Sequence, residues 1–174
     1  MEIVKKHGQS FFRHGLIAAS LLCLNAANVW AQKPRLPDEI RADLTSYLGQ
    51  WRFVPNRTFD GDKCITQVTG DFDGNGQTDF AVYVRAGQGA TETRRRLIVY
   101  LRTGVGFARR TLDKSALGND RCLCLFRKGT KDYKYETQKY FHYQHDTVGL
   151  IYPAKAGDSY VYWRGRFYRI TTSD

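Results

Sequence analysis

The stretch "GDFDGNGQTDF", Gly70 to Phe80, constrains this chain more than any other. Aspartates stand at 71, 73 and 79, an asparagine at 75 and a glutamine at 77. Alternate residues of a tight loop can point inward together. This spacing therefore gathers carboxylate oxygens from Asp71, Asp73 and Asp79, an amide oxygen from Asn75 and a backbone carbonyl from Gln77 around one point. Gly74 and Gly76 permit the positive φ that such a turn needs. Crowded carboxylates call for a counter-charge, and flexible oxygen donors suit a hard cation. The flanks fix the setting. "KCITQVT" precedes the loop and "FAVYV" follows it, and both are rich in residues that favour strand over helix. The loop is expected to join two strands.

The same period-two pattern runs through the rest of the chain. "KCITQVT", "FAVYVR", "RRLIVYLR" and "GFARRTL" predict one group of four antiparallel strands. "RCLCLFRK", "DTVGLIYP", "DSYVYWR" and "GRFYRITT" predict a second group, with a tight hairpin at Arg164-Gly165. The polar, Tyr-rich "GTKDYKYETQKYFHYQ" reads as a long hairpin or a loop. Ahead of the strands, Leu36, Ile40, Leu44 and Leu48 recur every four residues, with Tyr47 and Trp51 beside that stripe. This predicts a helix that starts near Pro37 and Asp38, stops at Gly49 and lays its apolar stripe on a sheet. The expected fold is mainly β. An N-terminal helix is followed by two antiparallel four-stranded meanders, blade-like or sandwich-like. They form a single domain over residues 32–174, with one metal loop at 71–79.

Residues 1–31 read differently. Lys5, Lys6 and Arg13 precede the mostly apolar "GLIAASLLCLNAANVW", and Val29 and Ala31 suit cleavage after Ala31, the pattern of a signal peptide. The apolar run is shorter than the roughly 20 residues that span a bilayer. Leu22 before Cys23 departs from the small residue of a lipoprotein site. The expected location is periplasmic or secreted, with no transmembrane segment after cleavage. The net charge is +10. On an exported protein this favours anionic surfaces such as lipid or acidic glycan, and nucleic acid is not an expected partner. Of the four cysteines, Cys64, Cys122 and Cys124 remain after cleavage. An oxidising compartment permits a bridge from Cys64 to Cys122 or to Cys124, leaving one thiol over. Closing a loop of about sixty residues, it stabilises by roughly 2–4 kcal/mol.

An EF-hand loop starts as this one does but requires an acidic residue at its twelfth position. Here that position is Val82, and a strand follows instead of a helix. Dockerin-type loops are set aside on the same two grounds. The segment "VTGDFDGNGQTDFAVYV", Val68 to Val84, resembles the FG-GAP or VCBS-type repeat of integrin-like β-propellers and many secreted bacterial proteins. The resemblance implies Ca2+ bound by Asp71, Asp73, Asn75, Gln77 and Asp79. It covers seventeen residues in a single copy, whereas a propeller needs about four or more blades. It therefore implies a blade-like hairpin within a small β domain, and adhesion does not carry over. The ending "YVYWRGRFYRITTSD" also resembles the tail of small exported bacterial proteins with one such loop.

Residues that carry catalysis are sparse. "FHYQHD" places His142, His145 and Asp146 together, and a His–Asp pair can act as a general base. Neither a G-x-S-x-G nucleophile motif nor an H-E-x-x-H zinc motif accompanies it. Arg94 and Arg96 share one strand face, with Arg109 and Arg110 echoing them, either as an anion site or as a charged hairpin edge. Tyr160 and Tyr162 share one face, Val161 and Trp163 the other. They serve either as core pairs or as ring-stacking groups. Asn56-Arg57-Thr58 is a glycosylation sequon that matters only in a eukaryotic secretory pathway. The reading that follows is an exported calcium-binding, non-enzymatic binding or accessory protein of the cell envelope. Its partner is an envelope component or another protein. The alternative is an envelope-polymer hydrolase using His142, His145 and Asp146.

Overall fold

The computed structural model describes residues 35–54, 58–59, 62–87, 94–114, 121–152 and 157–172. The expected signal peptide, 1–31, lies outside them, as do Asn56 and Arg57 of the sequon. The described residues belong to one compact unit, Pro34–Asp174. In chain order come α1 (Asp38–Leu48), β1 (Trp51–Phe53), β2 (Thr58–Phe59), β3 (Asp62–Lys63), β4 (Gln67–Gly70), β5 (Asp79–Ala86), β6 (Arg94–Thr103) and β7 (Gly106–Asp113). They are followed by β8 (Cys122–Phe126), β9 (Lys131–Lys134), a 3-10 turn (Tyr135–Thr137), β10 (Lys139–His142), β11 (Thr147–Ile151), β12 (Gly157–Trp163) and β13 (Arg166–Thr172). The protein is mainly β, with two large antiparallel sheets, a two-stranded pair of β2 and β3, and one α-helix among the described residues.

The first sheet runs β1-β5-β6-β7, with β4 also on β5. Two short strands share one edge of the long β5: β4 pairs with Asp79–Val82 and β1 with Val84–Ala86. Between them the Tyr83 backbone bridges the gap, its N–H donating to Thr66 and its carbonyl accepting from Val54. The runs "FAVYV" and "LIVYL" are almost continuously apolar because both faces of this sheet are covered. On one face Val82, Val84, Ile98 and Tyr100 pack under Leu36, Ile40 and Leu44 of the helical segment. On the other, Ala81, Tyr83, Leu97, Val99 and Leu101 meet Leu123, Val148, Leu150 and Tyr160 of the second sheet. The result is a helix–sheet–sheet stack. Asp43 pins the helix, accepting hydrogen bonds from the Tyr100 hydroxyl (2.8 Å) and the Arg109 guanidinium. Trp51 begins β1 and packs its ring on the helix-covered face.

The second sheet runs β10-β9-β13-β12-β11-β8. Both sheets thus exceed the expected four strands. The first gains the three-residue β1. The second gains β9 and β10, a hairpin folded from the Tyr-rich segment and joined to β13 through Thr172 and Lys134. A disulfide joins Cys64 to Cys122, tying the segment before β4 to the start of β8, where Ile65 also bridges Leu123. Of the two expected partners, Cys122 makes the bond. Cys124 and Phe126 lean over Gly149, and burial pushes the free Cys124 thiol up to about 12, helped by the Asp132 charge. No helix of the described residues is long and apolar enough to cross a membrane.

Candidate metal centre

The loop from Asp71 to Thr78 joins β4 to β5. Its second residue, Phe72, is 1% exposed and buried in the core between the sheets. With Phe72 turned inward as an anchor, Asp71 and Asp73 turn the other way. Asp79, the first residue of β5, is fully buried. One of its oxygens accepts the Phe72 N–H (2.8 Å), and the other accepts the Arg102 N–H of β6 (2.6 Å). One carboxylate thus ties the start of the loop to its end and to the neighbouring strand.

Carboxylate oxygens of Asp71, Asp73 and Asp79 lie within 4.8 Å of one another. Among the described residues, this is the one group of three or more acidic, His or Cys side chains with that proximity. The loop backbone supports it. Asp73 accepts the Asn75 N–H (3.1 Å) and its side-chain amide (3.2 Å), and Asp71 accepts the Gly76 N–H (3.0 Å). Asn75 donates to the Arg102 carbonyl (3.0 Å) and accepts the Gln77 N–H (2.7 Å). The Gln77 side chain is exposed, and the residue meets the loop through its N–H to Asn75. The remaining Asp71 oxygen, Oδ1, is shut off from solvent and accepts no hydrogen bond. Such an atom carries the full cost of desolvation unless a cation meets it. The electrostatics agree. Burial raises the Asp79 carboxyl to about 6, against the pull of the Arg102 and Phe72 N–H groups, and the Asp73 and Asp71 charges add to the rise.

The second sheet supplies parts of this centre that the loop sequence does not contain. Asp146, in the turn between β10 and β11, accepts the Asp71 N–H (3.3 Å), the Lys128 N–H (3.0 Å) and the Arg127 guanidinium (2.9 Å). Burial alone would raise its carboxyl. The Lys128 and Asp71 N–H groups and Arg127 outweigh that and hold it below the ordinary carboxylate range. The neighbouring imidazole of His145 lies against the loop at Gly74, so closely that a Cβ there would come within 2.2 Å of Cε1. Gly74 also has φ +79°, so the position favours glycine twice over. "FHYQHD" is therefore brought to the acidic loop as a brace, with Asp146 committed to backbone N–H groups and Arg127, while His142 stands exposed on β10. Nothing in the spacing of either segment signals this docking across 75 residues.

The other candidates fall elsewhere. Arg95 is buried and stands in cross-strand register with Arg85, which in turn faces Arg52, while Arg96 stands opposite Val84. Tyr160 and Tyr162 face the core between the sheets, with Tyr162 edge-on to Phe167 (5.0 Å). Val161 and Trp163 face outward, Trp163 being 55% exposed. The chain matches no family model, and no similarity to a curated protein or to a solved structure is found.

Proposed function

We propose that this chain is an exported calcium-binding protein that works as a non-enzymatic binding or accessory component of the cell envelope. The observation that carries the metal reading is the convergence of Asp71, Asp73 and Asp79 within 4.8 Å, with Asp71 Oδ1 buried and unbonded. The donor set fits a hard cation: three carboxylates, the Asn75 amide oxygen and the Gln77 carbonyl. Bound there, Ca2+ would supply positive charge to three crowded carboxylates. The chain's own residues do the rest. Asp79 holds the loop to β6, and Asp146 and His145 brace it from the second sheet. The site on this reading is a structural staple at the joint between the sheets. The FG-GAP or VCBS likeness supports calcium over other cations, with the hairpin β4–β5 standing for one blade edge inside a sandwich-like stack.

Export rests on the signal-peptide pattern of residues 1–31, and an anionic envelope partner on the net charge, +10 for the whole chain and +8 once Glu2, Lys5, Lys6 and Arg13 are removed with that segment. No observation favours the hydrolase alternative, since both Asp146 oxygens are engaged away from either histidine. Titration calorimetry of metal-stripped protein with CaCl2 tests the metal reading. Saturable heat at one site, lost in Asp73→Ala, is the expected outcome. Absence of heat, together with an unchanged melt in chelator, overturns it. A pull-down from solubilised envelope tests the partner.

A further inference from the structure

The outer face of the second sheet carries a second feature, remote from the acidic cluster in chemistry. Tyr143 is buried and holds the β9–β10 hairpin over that face. Its ring stacks on Phe126 (5.1 Å) and meets Phe141 edge-on (5.0 Å). Its hydroxyl donates to Asp132 and accepts from Ser159 (2.6 Å). Beside this wedge a cavity of about 180 Å³ stays open. Phe141, Val161, Trp163 and Ile170 are among its apolar lining, and His142, Gln144, His145 and Thr147 are its polar lining. Among the described residues no Asp or Glu lines it.

Two guanidinium groups flank the exposed wall. Arg164, in the β12–β13 turn, lies 5.6 Å from the Trp163 ring centroid. Arg166 stands directly opposite Trp163 in the β12–β13 register, on the same sheet face, with its guanidinium over the Tyr168 ring (4.6 Å) and donating to the Tyr168 hydroxyl, a contact that a ligand carboxylate would share or replace. Both are exposed. An apolar recess of this size takes one flat ring system. The mostly apolar lining favours an aromatic ring over a hydroxyl-rich one, whose hydroxyls would be desolvated with few partners. The flanking charge favours an anionic substituent, which guanidinium recognises through charge-assisted hydrogen bonds.

We propose that this cleft binds a small aromatic acid, its ring held against Trp163 and its carboxylate directed to Arg164 and Arg166. The cavity shares His145 with the brace of the acidic loop, but its ligand makes no use of the acidic cluster, so its titration in metal-stripped protein is read apart from the metal reading. The test is a titration of the full chain at pH 7.5 with 2-naphthoate, read by tryptophan emission and calorimetry. Parallel titrations use 2-naphthylmethanol, 2-naphthylmethylamine and galacturonate. The expected result is saturable one-to-one binding of the naphthoate, about tenfold or more tighter than the alcohol, with no binding of the amine or the sugar acid. Arg164→Gln with Arg166→Gln should bring the acid down to the level of the alcohol and leave the alcohol unchanged. Trp163→Ala should abolish both. Absence of naphthoate binding overturns the proposal. So does equal binding of acid and amine, binding of galacturonate as tight as that of naphthoate, or full affinity in the arginine double variant. The arginine pair lies on the surface, so that variant decides the matter even where Trp163→Ala folds poorly.

Discussion

On the proposed calcium reading, the Asp79 carboxyl makes the stability of this protein depend on pH in opposite ways with and without the metal. It is fully buried, beside two other carboxylates, and its pKa in the metal-free fold is about 6. In the unfolded chain an aspartate titrates near 3.9, so burial in the fold raises it well above its ordinary value. A raised acid binds its proton more tightly when folded. Below about pH 4 both states are protonated and nothing is lost. As pH rises through the window from about 4 to 6, the folded state bears the cost of ionisation, roughly 3 kcal/mol in all. A cation at Asp71, Asp73 and Asp79 reverses the sign, because it favours the ionised form and must displace the proton.

The assay is thermal unfolding of metal-stripped protein, with and without millimolar CaCl2, from pH 4.5 to 7.5. The quantity of interest is the difference in Tm between the two, because groups the metal does not touch cancel. Asp146, whose carboxyl is depressed, adds stability that is lost only as pH falls below the ordinary carboxylate range, and it is common to both arms. The calcium increment should be small at pH 4.5 and grow through pH 6. At pH 7.5 it should be on the order of 10 °C, as a few kcal/mol imply for a domain of this size. An increment that is flat with pH, or a metal-stripped protein with no calcium increment at pH 7.5, refutes the reasoning.

Three further outcomes follow from packing. Phe72→Ala removes the loop's anchor from the core between the sheets and should cost about 3–5 kcal/mol in urea unfolding, with a weaker calcium response because the loop loses its orientation. Tyr143→Phe leaves Asp132 and the buried Ser159 without their shared hydroxyl and should cost roughly 1–3 kcal/mol, read by the same denaturation. Gly74→Ala places a methyl in a left-handed backbone and against His145, so Tm should fall by the equivalent of about 1–2 kcal/mol or more. Adding His145→Ala should recover the steric part and leave the backbone part.

What could be read from the sequence and what could not divides along the range of the interaction. The central strands were legible because both faces of β5 and β6 are buried, so that neither face carries the polar residues that would hide the pattern. The loop's oxygens were legible because a tight turn must draw its donors from adjacent residues, and Asp71, Asp73 and Asp79 do meet. The disulfide was legible only as a choice, because which of Cys122 and Cys124 bonds Cys64 depends on how a distant segment lies along β8. The β9–β10 hairpin gave a poor strand signal for a different reason. Lys131, Lys139, Tyr140 and His142 are exposed, and the half-buried Asp132 is satisfied by the hydroxyl of Tyr143, just past β10, so little apolar alternation marks it. Asp146 was least legible of all. Its neighbours suggested a His–Asp pair, yet its oxygens go to N–H groups and to Arg127, and the Asp71 contact exists only once the two sheets have stacked. That contact gives the solitary loop a brace of its own, the second sheet, through the turn that carries His145 and Asp146.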